Sequence, residues 1–231
     1  MHIVAATGLH QAGHYRPETL SLLVRGLADR FIAEITEGLR RDEDPDGAPV
    51  AARAGLIKVA GGFHRVDRHA AMTFEAAVAA HRATGATIAV HLEGGTHPLG
   101  VLEALDGEGV PASSIILGHL NRFPDPGPHR EAAQAGAFLG FDGPSRANHA
   151  TDWRLFDCLE ALVEAGHAGQ ILLGGDTTTA AARASSGGGP GIPFLLTDIR
   201  ARLLRAFGSD AVEAVFRRNP ARAFDLAPKP R

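Results

Sequence analysis

Thr87-Ile-Ala-Val-His91 is a short, almost wholly apolar run that closes on an imidazole. A run of that length, apolar on both faces and bounded by turn residues, suits a buried parallel strand better than a half-exposed one. The same pattern recurs outward from it. Upstream lie Ile3-Val-Ala-Ala-Thr7 and Leu56-Ile-Lys-Val-Ala60. Downstream lie Ser114-Ile-Ile-Leu-Gly118, Ala137-Phe-Leu-Gly-Phe141 and Gln170-Ile-Leu-Leu-Gly174.

The stretches between these runs read as helices. Residues 18–38 carry Leu20, Leu23, Val24, Leu27, Phe31 and Ile35 at helical spacing. Residues 73–84 start at Thr73 as the capping residue, place Glu75 in the first turn and stop before Gly85. Residues 100–105, 152–165, 194–207 and 210–218 follow the same pattern. Strands alternating with helices imply a parallel sheet joined by right-handed crossovers. The expected class is α/β in a single domain over residues 1–231, with six strand–helix units. Residues 40–49 are charged and rich in Pro and Gly, and read as a solvated loop. The glycine-rich stretch from Ala184 to Pro193 reads either as a flexible loop or as an anion-binding nest.

Composition narrows the function classes. Lys plus Arg is 23 and Asp plus Glu is 26, a net charge of −3, so nothing favours nucleic acid or an anionic membrane. The single cysteine, Cys158, sits in an amphipathic helix and reads as a packing residue with no disulfide partner. No apolar run approaches the roughly 20 residues of a membrane span. No secretory leader is evident after Met1, so the cytoplasm is the expected location.

Chemistry gathers at the strand ends. Lys58 lies within the second apolar run, His91 ends the third, His119 follows the fourth and Asp176 follows the sixth. In an α/β barrel those ends converge on one face, where active sites form. Taken singly, each has a structural reading: a satisfied histidine, a turn aspartate, an edge lysine. Their shared placement favours a metal or catalytic site. An ammonium inside an apolar strand is costly, and desolvation favours the neutral amine. A neutral amine reacts with carbon dioxide to give a carbamate, an anion able to bridge two metal ions. Two imidazoles and a carboxylate complete a donor set suited to zinc, manganese, cobalt or iron.

An ordered set of motifs carries a family likeness. Leu27-Ala-Asp-Arg-Phe-Ile-Ala-Glu-Ile-Thr-Glu-Gly-Leu39, Ala54-Gly-Leu-Ile-Lys-Val59, Val90-His-Leu-Glu-Gly-Gly-Thr96 and Leu117-Gly-His-Leu-Asn-Arg122 resemble the phosphotriesterase family of the amidohydrolase superfamily. Phe138-Leu-Gly-Phe-Asp142, Ile171-Leu-Leu-Gly-Gly-Asp176 and Arg218-Asn-Pro-Ala-Arg-Ala-Phe224 continue the match, which runs from about Ile3 to Leu226. The resemblance implies a (β/α)8 TIM barrel, here reduced to about six β/α units, with two divalent metals, usually zinc. It implies Lys58 as the carbamylated bridge, His91 and His119 on the more exposed metal, and Asp176 as a buried-metal ligand that also moves a proton. A metal-activated hydroxide would attack an ester-like bond. The loops resemble the lactonase branch acting on sugar or phosphorylated-sugar lactones; phosphotriester hydrolysis is the alternative. Arg122 and Arg146 are expected to hold an anionic substrate group, and His10 to line the pocket.

Two departures stand out. The family opens on a strand ending in His-x-His, which this sequence lacks. By order of motifs the first two strands are missing, so the buried metal keeps only Lys58 and Asp176 and is expected to be weakly held or absent. A late start site or a natural truncation is the expected explanation of the gap. The alternatives are a second subunit covering the open edge, a rearranged fold, or a non-catalytic binding module. Asn121 stands where relatives often carry Asp, which puts a proton-handling role there in doubt.

Overall fold

The computed structural model describes residues 3–41, 44–143, 152–177, 187 and 189–226. Six strands form one sheet in sequence order, and every neighbouring pair is parallel. They are β1 (Ala5–Gly8), β2 (Ala54–Ala60), β3 (Ile88–His91), β4 (Ile115–Gly118), β5 (Phe138–Phe141) and β6 (Ile171–Leu173). Among the described residues the sheet is open, with β1 and β6 at its ends.

Helices fill the crossovers. α1 (Pro17–Leu23) and α2 (Leu27–Thr36) precede β2, α3 (Arg68–Thr84) precedes β3, and α4 (Pro98–Asp106) precedes β4. α5 (Pro126–Gln134) and α6 (Leu155–Glu164) follow β4 and β5. After β6 come α7 (Ile192–Phe194), α8 (Arg200–Glu213) and α9 (Asn219–Ala223), joined through two π-helical stretches. None of the described helices is long and apolar enough to cross a membrane.

Three helices differ from the sequence reading. The expected helix over 18–38 is two helices, because Gly26 adopts φ +54°, a left-handed conformation open to glycine. α3 begins five residues earlier than Thr73; Asp67 caps it by accepting from the Ala70 N–H at 2.9 Å. α5 was not anticipated. Its apolar periodicity is weak, yet Asp125 accepts from the Gly127 N–H and Pro126 opens the first turn, a start signal in the sequence.

Strand alternation sorts the core into two layers. Ile57, Val59, Ile88, Val90, Ile115, Leu117, Leu139, Phe141 and Ile171 join the cluster shared with the helices. The alternate residues Leu56, Ala89, Ile116, Phe138 and Leu172 form a second, smaller cluster with Ala223 and Phe224. The carboxyl-terminal segment therefore packs on the inner face of the sheet. It is fastened there by Thr87, whose hydroxyl donates to the Ala223 carbonyl at 2.7 Å. Buried Asn219 donates from Nδ2 to the carbonyls of Ala168 and Ile171, each at 2.8 Å. One step beyond that inner apolar layer, toward the carboxyl ends, the same alternation presents Lys58, His91, Gly118, Gly140 and Gly174. Three glycines in this row leave room around two functional side chains.

Candidate metal centre at the carboxyl ends of the strands

His91, the last residue of β3, and His119, the first after β4, are both buried. Adjacent parallel strands bring them together: His119 Nε2 lies 2.7 Å from His91 Nδ1. His119 holds a left-handed backbone at φ +65°, which turns its ring back over the strand ends. The turn after β3 packs onto this corner. Gly95 is required there, since a Cβ would meet the His119 carbonyl oxygen at 2.5 Å and its φ is +73°.

The outer ring nitrogens each meet a carboxylate. His119 Nδ1 lies 2.8 Å from Asp142 Oδ1, and the His119 backbone N–H donates to Asp142 Oδ2 at 3.1 Å. His91 Nε2 lies 3.0 Å from Glu93 Oε2. An ionised carboxylate only accepts, and a neutral imidazole carries a single N–H. With each ring's N–H assigned to its carboxylate, the two inner nitrogens present lone pairs to each other. Two lone pairs at that separation repel, so the pair is joined by a proton or parts slightly to hold a metal ion. Burial, with His119 and Lys58 nearby, lowers His91 to about 4 although Glu93 pulls the other way. The donor arrangement fits a divalent cation.

Further donors stand close by. His119, Asp142 and Asp176 each offer an atom within 4.8 Å of the others. Burial pushes the Asp142 carboxyl up, but its bonds to His119 and the charge of Arg122 win and hold it below the usual range. Lys58 sits on β2 and is lowered to about 8 by burial, with Asp142 and Asp176 raising it and Arg122 lowering it. Lys58 thus shares the electrostatic field of the carboxylates from the strands opposite. Arg122, on the 3-10 turn after β4, donates from Nη2 to Asp176 Oδ2 at 2.7 Å.

His10 packs its ring edge-on against His91 with centroids 4.5 Å apart, and against His14 at 4.2 Å. Burial and neighbouring cationic groups lower it to about 3. A cleft of about 230 Å³ beside β1 is lined by His10, Tyr15, Glu34 and Lys58, among others. Arg146 lies outside the described residues, as does most of the glycine-rich stretch from Ala184.

Lys58, His91, His119 and Asp176 are thus gathered at one end of the sheet, with Arg122 and His10 beside them. Sequence reading missed Asp142 and Glu93. Asp142 follows its strand as directly as His119 follows β4, so the signal was present. Glu93 sits on a 3-10 turn, where spacing alone does not tell which way a side chain aims. Asn121 accepts at Oδ1 from the Asp142 backbone N–H at 3.1 Å, which ties the turn after β4 to the end of β5.

A parallel α/β sheet of barrel type, with imidazoles and carboxylates convergent at its carboxyl ends, is the architecture of a large class of metal-dependent enzymes. The phosphotriesterase family model matches residues 1–224. The chain belongs to the phosphotriesterase family, whose members are metal-dependent. A phospho-furanose lactonase of Mycoplasmopsis synoviae is 32% identical over 173 residues, covering 71% of this chain and 48% of that protein. The phosphotriesterase homology protein of Escherichia coli is 27% identical over 226 residues, covering 97% of this chain and 74% of that protein. Its crystal structure with phosphate in the active site superposes with a TM-score of 0.85 at 26% identity, over 96% of this chain and 74% of that one. A lactonase from Listeria monocytogenes gives 0.84 at 27% identity, over 96% and 73%. The chain spans about half the length of several curated relatives it matches.

Proposed function

We propose that this protein is a metal-dependent hydrolase of lactones, acting on sugar or phosphorylated-sugar lactones. The observation that carries the reading is the convergence of His91 Nδ1 and His119 Nε2, 2.7 Å apart, with the outer nitrogen of each ring beside a carboxylate. The similarity to lactonases of known structure supports the same substrate class.

His91, His119, Asp176 and a carbamate on Lys58 would hold one or two divalent ions, with zinc the leading candidate. Such an ion supplies Lewis acidity, polarising a carbonyl and lowering the pKa of coordinated water from 15.7 toward roughly 7. The remaining work falls to the chain. Lys58, brought close to neutrality by burial, is a competent amine for carbon dioxide at mildly alkaline pH. Asp176 takes the proton released as water attacks and returns it to the leaving oxygen. Arg122, already at the site, turns from Asp176 to an anionic group on the substrate, with Arg146 as a second such group. His10 lines the wall next to His91 and keeps water from that flank. The reading takes residues 1–231 as one domain located in the cytoplasm, with a second copy covering an open edge of the sheet.

The test is direct. Full-length protein is supplied with zinc or manganese and bicarbonate, and assayed on a panel of furanose lactones, their phosphorylated forms and paraoxon. Lactone turnover that Lys58→Ala abolishes is the expected result. Protein that takes up no divalent ion and opens no lactone overturns the proposal, and a preference for paraoxon moves it to phosphotriesters.

A further inference from the structure

Glu93 is neither an expected ion ligand nor a substrate contact, yet its surroundings beside His91 are specific. It lies two residues beyond His91, on the 3-10 turn that continues β3. Its Oε2 lies 3.0 Å from His91 Nε2 and accepts from Gln11 Nε2 at 3.0 Å. Gln11 also donates from Nε2 to the Gly61 carbonyl at 2.9 Å, so both N–H bonds of that amide are used and its orientation is set. The turn is fastened from its other side as well. Thr96 donates its hydroxyl to the Glu93 carbonyl at 2.7 Å and accepts from the His64 backbone N–H at 2.9 Å. The carboxylate is therefore held from the loop after β1, from the end of β2 and from its own turn.

We infer that Glu93 is a positioning residue: its carboxylate holds His91 as the Nε2–H tautomer, so that Nδ1 is the nitrogen presented to a cation shared with His119. The inference rests on the metallohydrolase reading and deepens it. Imidazole in water prefers neither nitrogen strongly enough to guarantee this. A ring free to exchange tautomers would place an N–H at Nδ1 part of the time, where it would point at His119 Nε2 and close the gap with an imidazole–imidazole hydrogen bond in place of a metal. A carboxylate beyond Nε2 disfavours that alternative. It also raises the basicity of Nδ1, as an outer carboxylate does for metal-bound histidines generally. Asp142 does the same for His119 from β5, so two carboxylates on opposite flanks leave one pair of lone pairs facing inward.

Two measurements test it, on full-length protein and its Glu93→Ala and Glu93→Gln variants. The first is the zinc dissociation constant by competition with a chromophoric chelator. Glu93→Ala is expected to weaken binding roughly 10- to 100-fold, the usual effect of losing an outer-shell partner. Glu93→Gln, whose amide oxygen still accepts from Nε2–H, is expected to recover most of that loss. The second is the His91 ring tautomer, read by long-range ¹H–¹⁵N correlation on chelator-treated protein: Nε2–H in the wild type and in Glu93→Gln, mixed in Glu93→Ala. Glu93→Ala protein that keeps a single Nε2–H tautomer and binds zinc within about two-fold of wild type, against that range, overturns the inference. Wild-type protein that takes up no zinc overturns the metallohydrolase reading instead, and the tautomer measurement still decides the role of Glu93.

Discussion

Arg122 Nη2 donates to Asp176 Oδ2 across 2.7 Å, so a guanidinium sits on the carboxylate that the family pattern assigns to a metal ion. The fixed cation and a divalent one compete for the same oxygens. Removing the guanidinium is therefore expected to tighten cation binding. For Arg122→Gln the gain in zinc or manganese affinity should be roughly two- to five-fold, the worth of a partly exposed ion pair. Titration calorimetry on the chelator-treated variant decides it, and weaker binding would show that Arg122 supports the metal centre rather than opposing it.

Asp142 carries two hydrogen bonds from one residue, the ring and the backbone N–H of His119. Asn at 142 keeps one acceptor oxygen and turns an amide N–H toward the other donor. Loss of one charge-assisted bond in a mostly buried corner should cost about 2 kcal/mol. Urea unfolding of Asp142→Asn against wild type measures this. A change below about 0.5 kcal/mol, well short of a charged hydrogen bond, would mean the corner is held by packing alone.

His129, on α5, is buried edge-on against Phe141, the last residue of β5. Burial lowers it to about 4 against the pull of Asp125 and the Phe123 backbone. The unfolded chain binds this proton near 6.5 and the folded chain near 4, so folding is favoured fully above the higher value and loses free energy as pH falls through the window. The loss is on the order of 3 kcal/mol by pH 4. Thermal or urea unfolding of wild type and His129→Leu between pH 7.5 and 4 should show the slope shrinking in the variant. Parallel slopes would assign acid sensitivity to other groups.

Asn219 is wholly buried and its Nδ2 joins α9 to the carbonyls of Ala168 and Ile171. Asn219→Ala leaves two buried carbonyl oxygens without that donor, at a cost of about 2–4 kcal/mol. The inner apolar cluster loses its fastening while the far end of the strands is untouched. Reduced stability in urea with an unchanged zinc dissociation constant is the expected pair of results; a large loss of zinc affinity would tie the plug to the site.

The strands were legible because burial on both faces leaves no polar alternation to misread. Even the inner and outer layers follow from period two once a strand is granted. Helix boundaries were less legible: Gly26 splits a continuous apolar stripe, and Asp67 competes with Thr73 for the capping role through local geometry. At the site, Lys58, His91, His119 and Asp176 announce themselves by position, each at or beside a strand end. Glu93 and Gln11 do not, because their partners lie across turns whose shape is set by Gly95 and Thr96 rather than by spacing.

His119 at φ +65° and Asp176 at φ +43° both occupy backbone conformations that side-chain-bearing residues avoid, at a penalty of roughly 1–2 kcal/mol each. Glycine at 119 and 176 would relax both corners. A programme that selected this scaffold only for heat resistance would therefore drift toward erasing the two residues to which the proposed reactivity is assigned. Robustness and reactivity pull against each other at these two peptide units, and a hardened but inert variant is the natural outcome of ignoring one of them.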